Sequence, residues 1–343
     1  MQKPTNVTIS TIAEKAGTSK MTVSRVINNH PYVSPKTRLK ISALIKKFKF
    51  HPNMTAVNLS KMEPQTLALV IQYEHLFTNY YFSEILQGIE KAVDDNGYDL
   101  IILNYSTRHE INISHLTSWY YSKLIKGFIV LAPPMTSPLV RKLKDEHIPF
   151  IVAGGHAGFK NINYVDVDNI AGAIKATDFL IGLGHKSIGF IGGPFDRGDA
   201  REREFGFRKA LMSHGLKVQE SLMDQGDFSE DRGYQAMQRL LQNKIRLTAV
   251  FTANDLMAKG AITALRDSGL QVPKDVSVVG FDDINIASQM NPPLTTVKQP
   301  IFRLGEEAAL FLIDYEEGQR NDFGKILPTE LIVRESCSHL WNF

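Results

Sequence analysis

Apolar residues follow one rhythm up to about residue 64 and another beyond it. In the first stretch they recur at three- and four-residue steps, the period of helices lying on a shared core. Ile9, Ile12, Ala13 and Ala16 line one face of a first helix, with Thr8 or Ser10 able to cap it and Gly17 placed to end it. A second helix is expected to begin near Ser19 and to turn Val23, Val26 and Ile27 inward. Only Gly17 and Thr18 are expected between the two, so the helices must cross closely, and Ala13 supplies the small residue at the contact. Ser34 caps a third helix, Pro35 takes its first turn, and Ile41, Leu44, Ile45 and Phe48 form its stripe. The Ala13, Gly17, Val23 spacing is that of a helix-turn-helix.

Pro52 interrupts the third helix, and Asn53 can cap a short segment carrying Ala56 and Leu59 on one side. That segment is too short to stand alone. It reads either as a plain linker or as a helix that orders on a partner. From residue 65 short apolar runs alternate with amphipathic stretches. Strands are expected at Leu67–Gln72, Leu100–Tyr105, Gly127–Leu131, Phe150–Ala153, Tyr164–Val167, Ile188–Gly192, Ala249–Thr252 and Val276–Phe281. Helices are expected at Phe82–Asp95, Ile170–Leu183, Arg203–His214, Asp231–Gln242, Leu256–Asp267 and Leu304–Glu316. The fold class is therefore a small all-α helix-turn-helix headpiece plus an α/β core of two doubly wound parallel-sheet lobes.

Charge sharpens the division. Residues 1–63 hold eleven Lys and Arg against two acids, a formal +9, whereas the rest of the chain carries −6 of the total of +3. A basic module on a mildly acidic body suits a polyanion partner for the module alone. The helical period points Lys20, Met21, Thr22 and Arg25 away from the packed face, where Lys and Arg can bond guanine acceptors in a major groove. Lys36, Arg38, Lys40, Lys46, Lys47 and Lys49 are placed to meet phosphates. The longest apolar runs are too short to span a bilayer, the first residues lack an apolar signal, and the single Cys337 forms neither a disulfide nor a metal cluster. The expectation is a cytoplasmic protein with no membrane partner, no metal and no cofactor.

Open parallel sheets bind ligands outside the carboxyl ends of their strands. That rule selects Asp282-Asp283, Asn254-Asp255, Asp168-Asn169, the charged loop with Arg197, Arg201 and Arg203, and Tyr80, Tyr81 and Phe82. Carboxylates, an amide, arginines and rings at one crevice suit a polyhydroxylated ligand. Asp255 and Asp168 also read as helix caps, Asp283 as locally paired and Arg201 as a surface salt-bridge partner, whereas Asp282, Arg203 and Asn254 read as ligand contacts. Enzyme motifs are not found. His109-Glu110 lacks a second zinc histidine, Gly182 to Ser187 is too short for a phosphate loop, no Gly-x-Ser-x-Gly occurs, and His185 reads as a loop histidine rather than a base.

Thr8 to Asn28, Val33 to Arg38 and Pro52 to Leu59 together resemble the headpiece of the lactose-repressor family of bacterial regulators. Gly182 to Pro194, Ala253 to Ala258, Val279 to Asp283 and Pro292 to Val297 resemble its periplasmic-binding-protein-like core. The resemblance implies base reading by Lys20, Met21 and Arg25, and minor-groove insertion by Ala56 and Leu59. The whole DNA-facing set is then Thr8, Ser19, Lys20, Met21, Thr22, Ser24, Arg25, Asn28, Asn53, Ala56 and Leu59. It likewise implies an effector set of Tyr81, Phe82, Arg201, Arg203, Phe228, Asn254 and Asp282. The implied organisation is a headpiece over 1–50, a hinge and linker over 51–64, and a sensing and dimerisation core over 65–343. Its lobe 1 covers about 65–163 and 294–322, its lobe 2 about 164–293 and 323–343, and crossings fall near Tyr164, Pro292 to Thr296 and Asn321 to Gly324. The function implied is a repressor of carbohydrate-utilisation genes. It would bind a near-palindromic double-stranded DNA operator as a homodimer and respond to a small-molecule effector, a sugar or sugar phosphate. Two other readings remain: a soluble sugar-binding receptor without DNA function, and an enzyme acting on a sugar or nucleoside, prompted only by Asp282-Asp283.

Overall fold

The computed structural model describes residues 7–27, 30–48, 50, 64–71, 80–104, 112–243, 245–316 and 323–340. The chain divides into two compact units, Met1–Pro64 and Gln65–Phe343. Asn28, Asn53, Ala56 and Leu59 lie outside the described residues.

The first unit holds helices α1 (Ile9–Ala16), α2 (Lys20–Ile27) and α3 (Pro35–Lys47). Thr8 is the cap of α1: its Oγ1 accepts the Thr11 N–H at 3.3 Å while Thr11 Oγ1 accepts the Thr8 N–H at 3.4 Å. Two amide donors at the helix start are thereby satisfied reciprocally. Gly17 ends α1 in the left-handed conformation, φ 66°. The turn is one residue longer than expected, because Ser19 stays outside α2 and caps it, its Oγ accepting the Thr22 N–H at 3.1 Å. Ile12, Val23 and Ile41 are wholly buried, one from each helix, with Ala13, Ala16 and Val26 around them. A core this small leaves little margin, so each of these side chains matters to whether the unit folds.

The second unit contains two six-stranded sheets. The first has the order β11-β5-β4-β3-β1-β2, made of β1 (Thr66–Ile71), β2 (Asp99–Asn104), β3 (Gly127–Leu131), β4 (Phe150–Ala153), β5 (Tyr164–Val167) and β11 (Gly324–Leu327). The second has the order β12-β10-β9-β8-β6-β7, made of β6 (Ile188–Gly192), β7 (Met223–Gln225), β8 (Ala249–Thr252), β9 (Ser277–Asp282), β10 (Thr295–Lys298) and β12 (Glu330–Ile332). Within both sheets every pairing is parallel except that of β10 with β12. Strands β1, β3, β4, β6, β8 and β9 are buried along their whole length, as strands covered by helices on both faces must be. The covering helices are α4 (Tyr80–Asp95), α5 (Ile113–Tyr121), α6 (Pro138–Asp145), α7 (Asn169–Gly182), α8 (Gly198–Ser213), α9 (Glu230–Leu241), α10 (Asp255–Asp267) and α11 (Ile301–Asp314).

The lobes exchange chain at places other than those expected. Tyr164–Val167 pairs with β4 and so belongs to lobe 1, not lobe 2. Thr295–Lys298 pairs with β9 and belongs to lobe 2, not lobe 1. Gly324–Leu327 pairs with β5 and belongs to lobe 1. Each crossing thus follows its strand instead of preceding it: after Val167, after Lys298 and after Leu327. Which sheet takes a short apolar strand depends on hydrogen-bond partners distant in sequence, and the local pattern carries no record of them. Helix α8 likewise starts at Gly198, five residues before the expected Arg203, so Arg203 lies inside the helix instead of at its entrance.

Candidate functional site

In the first unit, α2 presents Lys20, Met21 and Arg25 to solvent, and Met21 is 64% exposed although apolar. Val23 and Val26 occupy the opposite face and are buried. Thr22 and Ser24 are half-buried, and the Thr22 hydroxyl lies 2.9 Å from Ser19 Oγ. Ser19 and Thr8 are exposed, each spent on capping its helix. Lys15 sits over the Phe48 ring at 5.1 Å, and Arg38 Nη2 donates to the His30 carbonyl at 2.6 Å. Those two contacts anchor α3 from both ends, and its Lys36, Lys40, Lys46 and Lys47 stay exposed.

The second unit has a cleft lined by Tyr81, Arg197, Asp199, Arg203, Phe228, Asn254, Leu256, Asp282 and Ile284. Five of the seven expected effector residues are among them. Phe82 and Arg201 are not. Phe82 is 5% exposed and packs in the lobe 1 core with Ile85 and Ile89, because one helical step from Tyr81 turns a side chain by roughly 100° to the other face. Arg201 is exposed and donates from Nε to the Phe195 carbonyl at 2.8 Å, which holds it at the surface. Arg197, one of the arginines the strand-end rule selects, does line the cleft, whereas Asp199, Leu256 and Ile284 carry no signal in the sequence, since a carboxylate in a first helical turn and two apolar residues are ordinary features.

Asp282 ends β9 and Arg203 projects from α8, and both are buried, at 6% and 4% exposure. Arg203 Nη1 donates to Asp282 Oδ1 at 3.2 Å and to the Ala253 carbonyl at 2.5 Å, while Nε donates to Asn169 Oδ1 at 2.9 Å. The guanidinium lies over the Phe281 ring, 3.9 Å from its centroid, and 5.9 Å from that of Phe228. Gln299, in the second crossing, donates Nε2 to the same Asp282 Oδ1 at 2.5 Å. Arg203 Nη2 and Asp282 Oδ2 are left for the cleft. Burial raises the Asp282 carboxyl to about 7, against the pull of Arg203 and Gln299. Its backbone is held at φ 117° and that of Asp283 at φ 57°, conformations that side-chain-bearing residues rarely adopt and that cost about 1–3 kcal/mol each. Asp283 is turned away from the cleft and pairs with Arg334 Nη2 at 2.6 Å.

A second pair closes the site's charge balance. Arg197 Nη2 contacts Asp199 Oδ2 at 2.9 Å. Burial alone would raise the Asp199 carboxyl, but Arg197 and Arg203 outweigh it and hold the group below the usual range. Phe228 stands at φ 70°, and its carbonyl accepts from Asn254 Nδ2 at 3.0 Å. Gly193 makes room for the ring: a Cβ there would sit 2.4 Å from Phe228 Cζ. Asn254, not Asp255, caps α10, its Oδ1 accepting the Met257 N–H at 2.9 Å. Asp255 instead lies fully buried, its Oδ1 accepting from Thr296 Oγ1 at 2.5 Å and its Oδ2 from the Ile284 N–H at 2.9 Å. Burial and then the neighbouring Asp282 charge push its carboxyl well up. Asp168 caps α7 through the Ala171 N–H at 2.8 Å. His185 is buried between Thr248, Ser277 and the Ser338 carbonyl, and burial lowers its affinity for a proton.

Comparison with known proteins gives the arrangement a lineage. Residues 8–53 match the family model for bacterial regulatory proteins of the lacI family, and residues 177–337 match a periplasmic binding protein-like domain. The chain is 36% identical over 341 residues to the HTH-type transcriptional regulator CelR of Thermobifida fusca, covering 98% of this chain and all of the relative. A solved complex of the transcriptional regulator CelR with cellobiose has 35% identity and a TM-score of 0.75, covering 96% of this chain and 99% of that one. The lac repressor dimer bound to operator and the anti-inducer ONPF has 29% identity and a TM-score of 0.86, covering 97% and 99%. The relatives are transcription regulators and not enzymes, and the chain, itself a DNA-binding transcription regulator, belongs to the lactose-repressor family.

Proposed function

We propose that the protein is a repressor of carbohydrate-utilisation genes whose effector is a neutral sugar held between the lobes by Arg203 and Asp282. The observation that carries this reading is the division of labour within that pair. Two Arg203 nitrogens and one Asp282 oxygen satisfy the protein, and Arg203 Nη2 and Asp282 Oδ2 remain. A donor and an acceptor side by side match two neighbouring hydroxyls of a sugar, and Phe228 and Tyr81 offer rings for its apolar face. The charge balance favours a neutral ligand over a phosphorylated one. Both cleft arginines already face a carboxylate, so an added phosphate would meet two negative groups for every two positive. A relative solved with cellobiose supports the same choice.

On the DNA side, Lys20, Met21 and Arg25 read bases in the major groove of an operator half-site, and the lysines of α3 and the caps at Thr8 and Ser19 meet phosphates. Asn28, Asn53, Ala56 and Leu59 complete this surface by resemblance. Two copies pair to set two headpieces on a near-palindrome, as in the operator-bound lac repressor dimer. The effector changes operator affinity by preferring one arrangement of the lobes. The cytoplasm is the compartment this work requires. A soluble sugar receptor without DNA function would not need the headpiece that residues 8–53 match.

The test is a thermal-shift screen of the full chain with neutral mono- and disaccharides, their phosphates and nucleobases, followed by operator binding with and without the hit. A neutral saccharide that raises the melting temperature and shifts operator affinity is the expected result. Stabilisation only by phosphorylated sugars or purines would overturn the effector assignment and leave the regulator standing.

A further inference from the structure

We propose that His156, Asp166 and Glu202 form a binding site for a divalent cation of the zinc class, set across the junction of the two lobes. The sequence gives no hint of it, since the three residues follow no metal-ligand spacing. The fold assembles it: His156 follows β4 and Asp166 lies in β5, both in lobe 1, whereas Glu202 comes from α8 in lobe 2. One ligand atom from each residue lies within 4.8 Å of the other two.

The donors are already oriented. Asp166 is 1% exposed, and its carboxylate is pinned by the backbone N–H groups of His156 at 2.9 Å and Val167 at 2.8 Å. The His156 ring stacks on Tyr164 at 4.0 Å and 9°, which fixes its plane, and its Nδ1 lies 2.7 Å from Asp166 Oδ2. Asn169 Nδ2 holds Glu202 Oε2 at 3.1 Å. Supporting contacts of this kind fix ligand orientation in metal sites. Bond lengths of about 2.1 Å place tetrahedral zinc ligands about 3.4 Å apart. The His–Asp pair at 2.7 Å therefore opens by about 0.7 Å, and the Glu202 oxygen draws in to the same spacing, with the metal taking the place of the shared proton.

Charge argues in the same direction. Two carboxylates converge on one imidazole, and the neighbouring guanidiniums of Arg197 and Arg203 are engaged with Asp199 and Asp282. A dication supplies the missing positive charge. The single imidazole selects zinc-class ions over magnesium and calcium, which take oxygen donors. The His156 side chain is 20% exposed, so the site has an open side for entry and for a water as fourth ligand. Because its ligands come from both lobes, the ion binds best where they converge. Asn169 touches both Glu202 and Arg203 Nε, which connects the site to the cleft.

The experiment is titration of the full-length, chelator-treated protein with Co2+ and Zn2+, read by visible absorption of the cobalt form and by calorimetry. The expected result is one saturable ion per chain, Co2+ displaced by Zn2+, no competition from Mg2+, and at least tenfold weaker binding in both His156→Ala and Glu202→Gln. Thermal melts with and without Zn2+ give a second readout: Zn2+ raises the melting temperature of the parent chain and not of Glu202→Gln, which keeps its size and its partner Asn169. Binding of equal strength in the parent and both variants, or none beyond weak surface association, overturns the proposal and leaves an ordinary His–Asp hydrogen bond.

Discussion

Arg203 Nη1 lies 3.2 Å from Asp282 Oδ1, 79 residues further along the chain, and both groups are shielded from water. A buried pair of this kind does not justify itself by stability, since removing two charges from water offsets most of their attraction. In the effector site proposed above it serves as a poised recognition device, and the strained backbone at Asp282, φ 117°, fits that role.

Replacing either partner should therefore damage recognition. Charge-assisted hydrogen bonds contribute about 1.5–3 kcal/mol, so Asp282→Asn and Arg203→Lys should each weaken effector binding by roughly 10–100-fold. Isothermal calorimetry with the hit from the saccharide screen measures this. Undiminished affinity in Asp282→Asn would place the effector elsewhere.

Effector binding should strengthen with pH. The Asp282 carboxyl is raised to about 7, so its acceptor form is incomplete near neutrality and fills as pH rises through that value. The stability consequence has the opposite sign. The folded state holds this proton more tightly than the unfolded chain, so the contribution is fully present below the ordinary carboxylate range and is lost as pH climbs through about 7. Calorimetry at pH 6, 7 and 8 should show rising affinity, and melts over the same range a falling contribution. Asp282→Asn should flatten both, and a slope unchanged in that variant would assign the titration to another group.

Arg25 is exposed on α2 and makes no part of the headpiece core. Arg25→Ala should cost about 1–3 kcal/mol of specific operator affinity with the headpiece fold intact. Operator affinity should also fall steeply with salt, because phosphate contacts release counterions. Fluorescence anisotropy over a salt series tests both. If Arg25→Ala binds random duplex and operator with unchanged preference, base reading belongs to other residues.

Helices α4 and α11 cross so closely that a Cβ on Gly305 would lie 2.1 Å from the Ile85 carbonyl oxygen, and one on Gly88 would lie 1.9 Å from that of Phe302. Gly305→Ala must push backbone against backbone, so it should destabilise the core by at least about 1–3 kcal/mol. Gly182→Ala, at the end of α7 with open space around it, should be neutral or stabilising. Urea denaturation of both variants distinguishes a packing effect from a general intolerance of glycine loss.

Much of this was legible in the order of residues. Caps at Thr8 and Ser34, the inward faces of α1 and α2, the alternation of buried strands and helices, and the polar residues at strand ends all depend on neighbours a few positions apart, where helical and strand periods act directly. The basic headpiece needed only a count of charges. The role of Asn254 as a cap and the burial of Asp255 were less legible, because adjacent polar residues at a helix start compete for one position and the tertiary partners Thr296 and Ile284 decide between them.

The amino-acid order alone determined the two-part design, a three-helix reader and a sheet-and-helix sensor, because amphipathic period and local charge are written in short stretches. Tertiary structure alone decided which lobe receives each crossing strand, that Phe82 and Arg201 stay out of the cleft while Arg197 and Asp199 enter it, and that His156, Asp166 and Glu202 converge. Those outcomes depend on strand pairing and on the facing of helices far apart in the chain, and long-range contacts of that kind leave no local period to read.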